Sequence, residues 1–242
     1  MNIFSRIRER IGAVIAALIG SVALLGCGLL FALVLAPQQK LEARRIEAML
    51  LMDAGAVTAA SAGDDILITG RLEDNPLVDE AGFVAYELEE WVVTLPDSEN
   101  ADDDPDGSWE TVEHVVPDLS LNVGGEVVLI LSANEATLSG PLHEELLYSE
   151  AYEEAKYNNE WLPDGSRRYR GFYNGDLTTV LGKKASAGGV IPDELYAGDR
   201  VAFVESQHEA AKGMLIAGIA MLVCSPVVLV GGGLAAVFGR RR

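Results

Sequence analysis

Two uncharged apolar runs, one near each end, constrain this chain more than any other feature. Ile11 to Ala36 is 26 residues without a charge, and Met214 to Phe238 is 25. A helix of about 20 apolar residues crosses the hydrocarbon of a bilayer, so both runs are expected to span. The layout that follows has five parts. A cytoplasmic basic N-terminus (1–10) leads into a transmembrane helix (11–36). An acidic, β-rich extracytoplasmic domain (37–213) comes next. A second transmembrane helix (214–238) and a cytoplasmic basic tail (239–242) complete it. The orientation rests on Arg6, Arg8, Arg10 and Arg240 to Arg242, since basic flanks stay preferentially on the cytoplasmic side. Lys40, Arg44, Arg45 and Lys212 flank the opposite ends and partly offset that signal.

The first run is expected to remain as an anchor. Leu24-Leu25-Gly26-Cys27 has the look of a lipoprotein cleavage site, but Leu25 is bulky and Gly28 to Ala36 continues apolar past Cys27. A secretory signal has a shorter apolar core, about 7–15 residues. Cys27 then reads as a small lipid-compatible helix residue. Gly12, Ala16 and Gly20 share a helical face, as do Gly213 and Ala217. Such faces permit close approach of the two spans, or of two copies as a homo-oligomer.

Between the spans the charge is lopsided. Residues 37–213 carry twelve Lys and Arg against 36 Asp and Glu, a net charge of −24. Such a domain repels phosphate backbones, so no nucleic-acid partner is expected. The acidity reads first as a solvated surface and second as a face for cations or a basic partner. Both cysteines, Cys27 and Cys224, lie in the spans, so no disulfide holds the domain. At roughly 170 residues a domain can bury its own core. It contains no Asn-x-Ser/Thr sequon, and nothing points to a glycosylated ectodomain.

Periodicity predicts a juxtamembrane helix over 38–52 and strands over 66–72 and 82–95. An acidic loop, Asp97 to Gly107, separates these from a returning strand over 109–116. A hairpin turns at Gly124-Gly125, with arms starting at Leu119 and at Glu126. Residues 142–158 (LHEELLYSEAYEEAKYN) predict the domain's one internal helix. Two further strands, 167–172 and 176–182, flank Asn174-Gly175 and read as a pair. Residues 200–205 predict a last strand, and 206–212 a connection into the second span. The strands ending Gly70-Arg71 and Gly182-Lys183 echo one another, and glycine-bearing strands are frequent in small bent barrels. The fold class expected is an α+β membrane protein, two transmembrane helices bracketing a mostly antiparallel, barrel-like β domain.

The order of these pieces resembles the GIDE/BAM (beside-a-membrane) domain of MULAN-like membrane-anchored ubiquitin ligases and their prokaryotic relatives. The residues that carry the resemblance are Gly70, Pro76, Tyr86, Trp109, Leu119 and Leu121, together with the stretch GFYNGDLTTVLGK. It covers most of 38–238 and implies a bacterial membrane protein with this topology. In the ligases a zinc-binding RING follows the second span. A RING needs about eight Cys/His ligands. This sequence has two cysteines and three dispersed histidines, His114, His143 and His208, so no ligase activity is expected.

The strongest local motif for chemistry lies in the acidic loop. Asp102, Asp104, Asp106, Gly107 and Glu113 satisfy the spacing of a calcium loop, in which alternate carboxylates converge on one hard cation. Pro105 and the strands on both flanks depart from that pattern, and the plainer reading is a solvated hairpin tip. His143-Glu144-Glu145-Leu146-Leu147 starts like a zinc-protease helix but has Leu147 where the second histidine must stand. Acid pairs such as Glu89/Glu90 and Glu153/Glu154 are uninformative among so many acids. Arg167, Arg168 and Arg170 with Tyr169, Phe172 and Tyr173 form the one basic-aromatic cluster. It reads either as an anion site or as a charged strand facing acids. No catalytic, cofactor or metal residue is assigned. The leading expectation is a non-enzymatic membrane-anchored domain that binds a protein or ligand beside the bilayer. The alternatives are an envelope hydrolase with an unrecognised site and a calcium-responsive module.

Overall fold

A computed structural model describes residues 3–78, 81–96 and 104–238. Asp102, most of the acidic loop and the C-terminal arginines lie outside the described residues. The chain divides into two compact units, one of residues 1–48 and 204–242, the other of residues 49–203.

In the first unit, helix α1 (Ile3–Leu30) runs through a π-helical turn (Phe31–Leu35) into α2 (Ala36–Ala48). The π turn has a local cause. Pro37 has no N–H for the carbonyl of Leu33, and its ring would strike that carbonyl in a regular α-helix. The wider turn, closed by the Ala36 N–H on the Phe31 oxygen, relieves the conflict. Two helices are long and apolar enough to cross a membrane, Val14–Ala48 and Arg200–Gly232. They touch through small residues, but not through the expected stripe. Gly12 and Gly213 are open, and of the glycines on the predicted faces Gly20 alone comes near the other helix, at Val228. The close approach is at Gly28 and Gly218, where an added Cβ would come within 3 Å of Leu222 and of the Ala32 backbone. Ser21 and Ser225 are buried together, their hydroxyls 3.0 Å apart, and Ser225 Oγ donates to the Ser21 carbonyl at 2.8 Å. Cys27 and Cys224 are exposed on the helix surfaces.

The second unit starts with a short helix, α3 (Ala54–Ala59), capped by Asp53. Twelve strands follow: β1 (Asp65–Leu72), β2 (Ala85–Thr94), β3 (Asp106–Val115), β4 (Leu119–Val123), β5 (Glu126–Ile130), β6 (Thr137–Ser139), β7 (His143–Leu147), β8 (Glu154–Tyr157), β9 (Glu160–Pro163), β10 (Arg167–Phe172), β11 (Leu177–Lys184) and β12 (Val190–Ala197). Five of them close into a barrel in the order β11-β1-β4-β5-β12, sealed by β11 on β12, with β6 on its rim. All barrel pairings are antiparallel except β5 on β12. Alternate residues fill the interior: Ile66, Ile68, Leu119, Leu121, Ile130, Val180 and Leu195 are fully buried.

The two echoing strands are neighbours. β1 and β11 pair along their whole length, Ile66 opposite Gly182 and Gly70 opposite Thr178. Their glycines sit where backbones crowd: a Cβ on Gly70 would overlap the Asn122 carbonyl, and one on Gly182 the Ile191 carbonyl. Gly182 also marks a register shift against β12, opposite Pro192. Bending a five-stranded sheet onto itself needs such kinks.

A second, four-stranded sheet, β3-β2-β10-β7, is inserted into the barrel's connections. The chain passes from the barrel to this sheet after β1 and after β6 and returns before β4 and before β11, and one pair of side chains clasps the first and last of these crossings. The Asn75 amide donates to Ser120 O and to Asn174 Oδ1 and accepts from Ser120 N. Asn174 in turn donates to the Asn75 carbonyl at 2.8 Å. Asn174-Gly175 is therefore a passage between sheets, since β10 and β11 do not pair. The internal helix expected over 142–158 is absent. That segment forms β7, a loop and β8, which turns through Asn158-Asn159, both at positive φ, into β9. Residues 200–205 are helix, not strand. Asp199 caps the helix α4 (Arg200–Phe238) by accepting from Ala202 N, and the last strand is β12.

Gly70→Ala or Gly182→Ala is expected to lower stability by about 1–3 kcal/mol, read as a drop of several degrees in thermal midpoint. An unchanged midpoint would mean that the barrel strands part freely at these positions.

Candidate functional site

The feature that organises the second sheet is its basic strand. β10 lies between two acidic ones: Arg167 is opposite Glu90 and Arg168 opposite Glu89 on β2, while Tyr169 and Arg170 are opposite Glu145 and Glu144 on β7. Of these cations Arg168 is the buried one. Its Nε donates to Glu89 Oε2 at 2.8 Å, Nη2 lies 2.7 Å from the same oxygen, and Nη1 donates to Tyr157 Oη at 2.7 Å. The guanidinium also lies over the Trp109 ring, 4.4 Å from its centroid. Arg167 pairs with Glu90 at 3.2 Å near the surface. The basic-aromatic cluster is thus a charged strand facing acids.

Register brings the aromatic groups to Arg168. Leu88 pairs with Glu113 but Glu89 with Thr111, so β3 carries one extra residue, Val112. Beyond this bulge Trp109 lies opposite Trp91, and Trp91, Trp109 and Tyr157 meet with ring centroids 5.1–5.5 Å apart. Ala155 and Leu162 complete the cluster. The β8–β9 arm is therefore held by apolar packing and by the Tyr157–Arg168 hydrogen bond. The sheet's other cluster stacks Phe83 on Tyr173 at 4.5 Å and packs Tyr169 against Tyr86.

The held arm presents its outer side to solvent. Within 147–163, Tyr152 is fully exposed, Tyr148 is 61% exposed and Trp161 47%, and Leu147 is also exposed. Glu150, Glu153, Glu154 and Glu160 of the same stretch are all exposed, and the Lys156 ammonium lies over the Trp161 ring, 4.9 Å from its centroid. Large exposed aromatics on a fixed backbone, among charged residues, have the composition of a binding surface.

The calcium pattern does not assemble from the described residues. Asp106 and Glu113 stand near opposite ends of β3, about 20 Å apart for a strand of that spacing. Asp104 pairs with Lys156 at 2.7 Å, and Glu113 accepts from Tyr86 Oη at 3.1 Å. Gly107 makes no sharp turn; it leaves room for the Trp91 ring, which a Cβ there would overlap. No group of three or more metal-ligating side chains comes together among the described residues. His143 lies on β7, its Nε2 3.1 Å from Asp176 Oδ1 and its ring 4.7 Å from Tyr173. Glu89 and Glu90 point into the separate ion pairs described above. On β12, burial lifts the Glu194 carboxyl above its ordinary range, although Ser139 Oγ donates to it at 2.6 Å.

Comparison with protein-family models, with curated proteins and with solved structures finds no match for this chain.

Sequence reasoning singled out Arg168, Tyr169 and Trp109 but not the arm, because 142–158 has helical spacing. The signal for the arm was Asn158-Asn159, two residues that tolerate positive φ, set between the aromatic Tyr157 and Trp161.

Two outcomes follow. Arg168→Ala leaves the nearly buried Glu89 carboxylate with only Arg170, 4.0 Å away, and is expected to cost about 3 kcal/mol, with the arm becoming the first site of limited proteolysis. Retained stability and protection would show that the pair does not fix the arm. Millimolar calcium is expected to leave the thermal midpoint unchanged; a rise of several degrees would mean that the acidic loop closes on an ion.

Proposed function

We infer that this is a two-span membrane protein of GIDE/BAM type, non-enzymatic and without ubiquitin ligase activity. Its β domain binds a protein partner beside the bilayer. Both termini face the cytoplasm and residues 37–213 lie outside it. The observation that carries the binding role is the exposed aromatic surface of the arm, Tyr148, Tyr152 and Trp161, on a strand pair fixed from behind by Arg168. Tyrosine and tryptophan dominate the energetics of protein interfaces because they bury much area at low entropic cost. The exposed Glu150, Glu153, Glu154 and Glu160 of the same stretch outnumber its one lysine, Lys156, and favour a partner with an apolar centre and a basic rim. The GIDE/BAM part of this reading rests on the order of the sequence motifs, and the two apolar helices flanking a β-rich domain support its two-span part. An envelope hydrolase receives less support: Arg167, Arg168, Glu89 and Glu90 of the second sheet are consumed in ion pairs, and no group of three or more metal-ligating side chains comes together among the described residues.

A photo-crosslinking residue at position 152 of the full chain in native membranes tests the binding role. The expected result is a discrete crosslinked species, lost when Tyr148 and Trp161 are replaced by Ser, and absent when the probe stands at exposed Val112 on β3. Crosslinking that is equal at both positions, or absent at 152, would overturn it.

A further inference from the structure

The first unit contains a cavity that the binding role of the β domain does not use. It lies between the two long helices and has a volume of about 320 Å³. Ala32, Ala36 and Pro37 line it from the first helix, Ala211 and Leu215 from α4, and Lys40, Lys212 and His208 complete it. Each helix contributes one face. Residues 32, 36 and 40 recur at a spacing of four, and 208, 211, 212 and 215 fall on one stripe of α4. Two small residues, Ala36 and Ala211, are buried in the contact and leave the space between the helices.

The π turn belongs to the same place. It spans Phe31–Leu35 and is imposed by Pro37, and both Ala32 within it and Pro37 after it line the cavity. The widened turn displaces the helix face that a regular helix would press against α4.

The chemistry of the lining is split by depth. Ala36 is the last uncharged residue of the first apolar run, and Met214 is the first of the second. On the two-span reading proposed above, on which this inference rests, Ala32 and Leu215 sit at hydrocarbon depth, while Lys40, His208 and Lys212 sit just beyond it. The lining has two lysines and no carboxylate. The nearest described acid contact is Glu47, whose Oε2 is 3.2 Å from His208 Nε2. Lys40 and Lys212 are in no ion pair with a described carboxylate, in a chain with a twofold excess of acids.

We propose that this cavity is a binding site for one anionic glycerophospholipid, its phosphate held between Lys40 and Lys212 and its acyl chain laid over Ala32, Ala36 and Leu215. Two unpaired ammonium groups at the hydrocarbon boundary, over an apolar floor open to lipid, match a phosphodiester with an attached chain. They match neither a free anion, which has no use for the floor, nor a zwitterionic headgroup, which brings its own cation. The bound lipid bridges the two helices at the level where each leaves the bilayer.

Native mass spectrometry of the full chain in a non-ionic detergent, titrated with phosphatidylglycerol or with phosphatidylcholine of the same chains, tests this. The wild type is expected to retain one phosphatidylglycerol in preference to phosphatidylcholine. Lys40→Gln with Lys212→Gln should weaken that binding about thirtyfold, as for two lysines at an anionic surface. Arg44→Gln with Arg45→Gln, basic residues of the same helix outside the cavity, should leave it unchanged. Ala211→Leu, which fills the floor and keeps both lysines, should weaken it as well. Four results would overturn the proposal: equal retention of the two lipids, no loss in the lysine variant, equal loss in the arginine variant, or full competition by millimolar inorganic phosphate.

Discussion

The arrangement of the second sheet depends on one cation. Arg168 is nearly buried in a domain with three acids for every basic residue, and a charge in that position is tolerable only when its donors are used. Glu89 neutralises it, Tyr157 takes a further N–H, and the Trp109 face covers what remains. Removing one member of such a group costs more than the group contributes in place, because the other charge is left without solvent or partner. The strand order follows from the same fact. β2 and β7 are both acidic and would repel as neighbours, and β10 separates them. The arm then rests on the aromatic side of that sheet, and its outward aromatics inherit a fixed position.

How far the sequence foretold this depends on the scale of the signal. β1, β2, β4, β5 and β10 were legible because apolar residues alternate in them and turn residues bound them. The two glycine-bearing strands were legible as alike, though not as partners, since pairing is a property of the closed barrel. The arm was misread for a physical reason. Residues 142–158 are rich in Leu, Glu, Ala and Lys, which favour helix locally, and tertiary pairing with Arg167–Gly171 overrides a preference of a few tenths of a kcal/mol per residue. The start of α4 was misread in the opposite sense. Val201, Phe203 and Glu205 alternate with smaller residues as a strand would, and only the Asp199 side chain, capping the first turn, marks the helix. β12 escaped notice because Pro192 interrupts it, at a position where the register shift against Gly182 makes a missing N–H harmless. The calcium pattern does not assemble among the described residues for a related reason: its spacing presupposes a loop, and from Asp106 onward the chain is extended.

Acidity and fold are linked through where the few cations are placed. Arg167, Arg168 and Lys156 are all paired, with Glu90, Glu89 and Asp104. The arm is consequently left with an excess of acids, Lys156 over Trp161 being its one cation. A surface of this kind discourages self-association through like-charge repulsion while it attracts a basic partner. Net charge here acts on encounter and specificity, and the apolar clusters at Trp91 and Phe83 supply the stability.

The two long helices obey a different constraint. On the two-span reading proposed above, they lie in lipid, where there is no hydrophobic drive to bring helices together, so contact must come from close packing and polar pairing. Gly28, Gly218 and the Ser21–Ser225 hydrogen bonds provide both over the middle of the spans. Toward Pro37 the contact changes character. The π turn cannot pack as tightly as the glycine faces, and alanines on both sides leave a gap rather than a seam. A gap at that depth, walled by two lysines, is costly if left open, because neither hydrocarbon nor water suits all of it. A molecule that is anionic at one end and apolar along its length satisfies both parts, and the sequence places the proline, the alanines and the lysines where that compromise is needed.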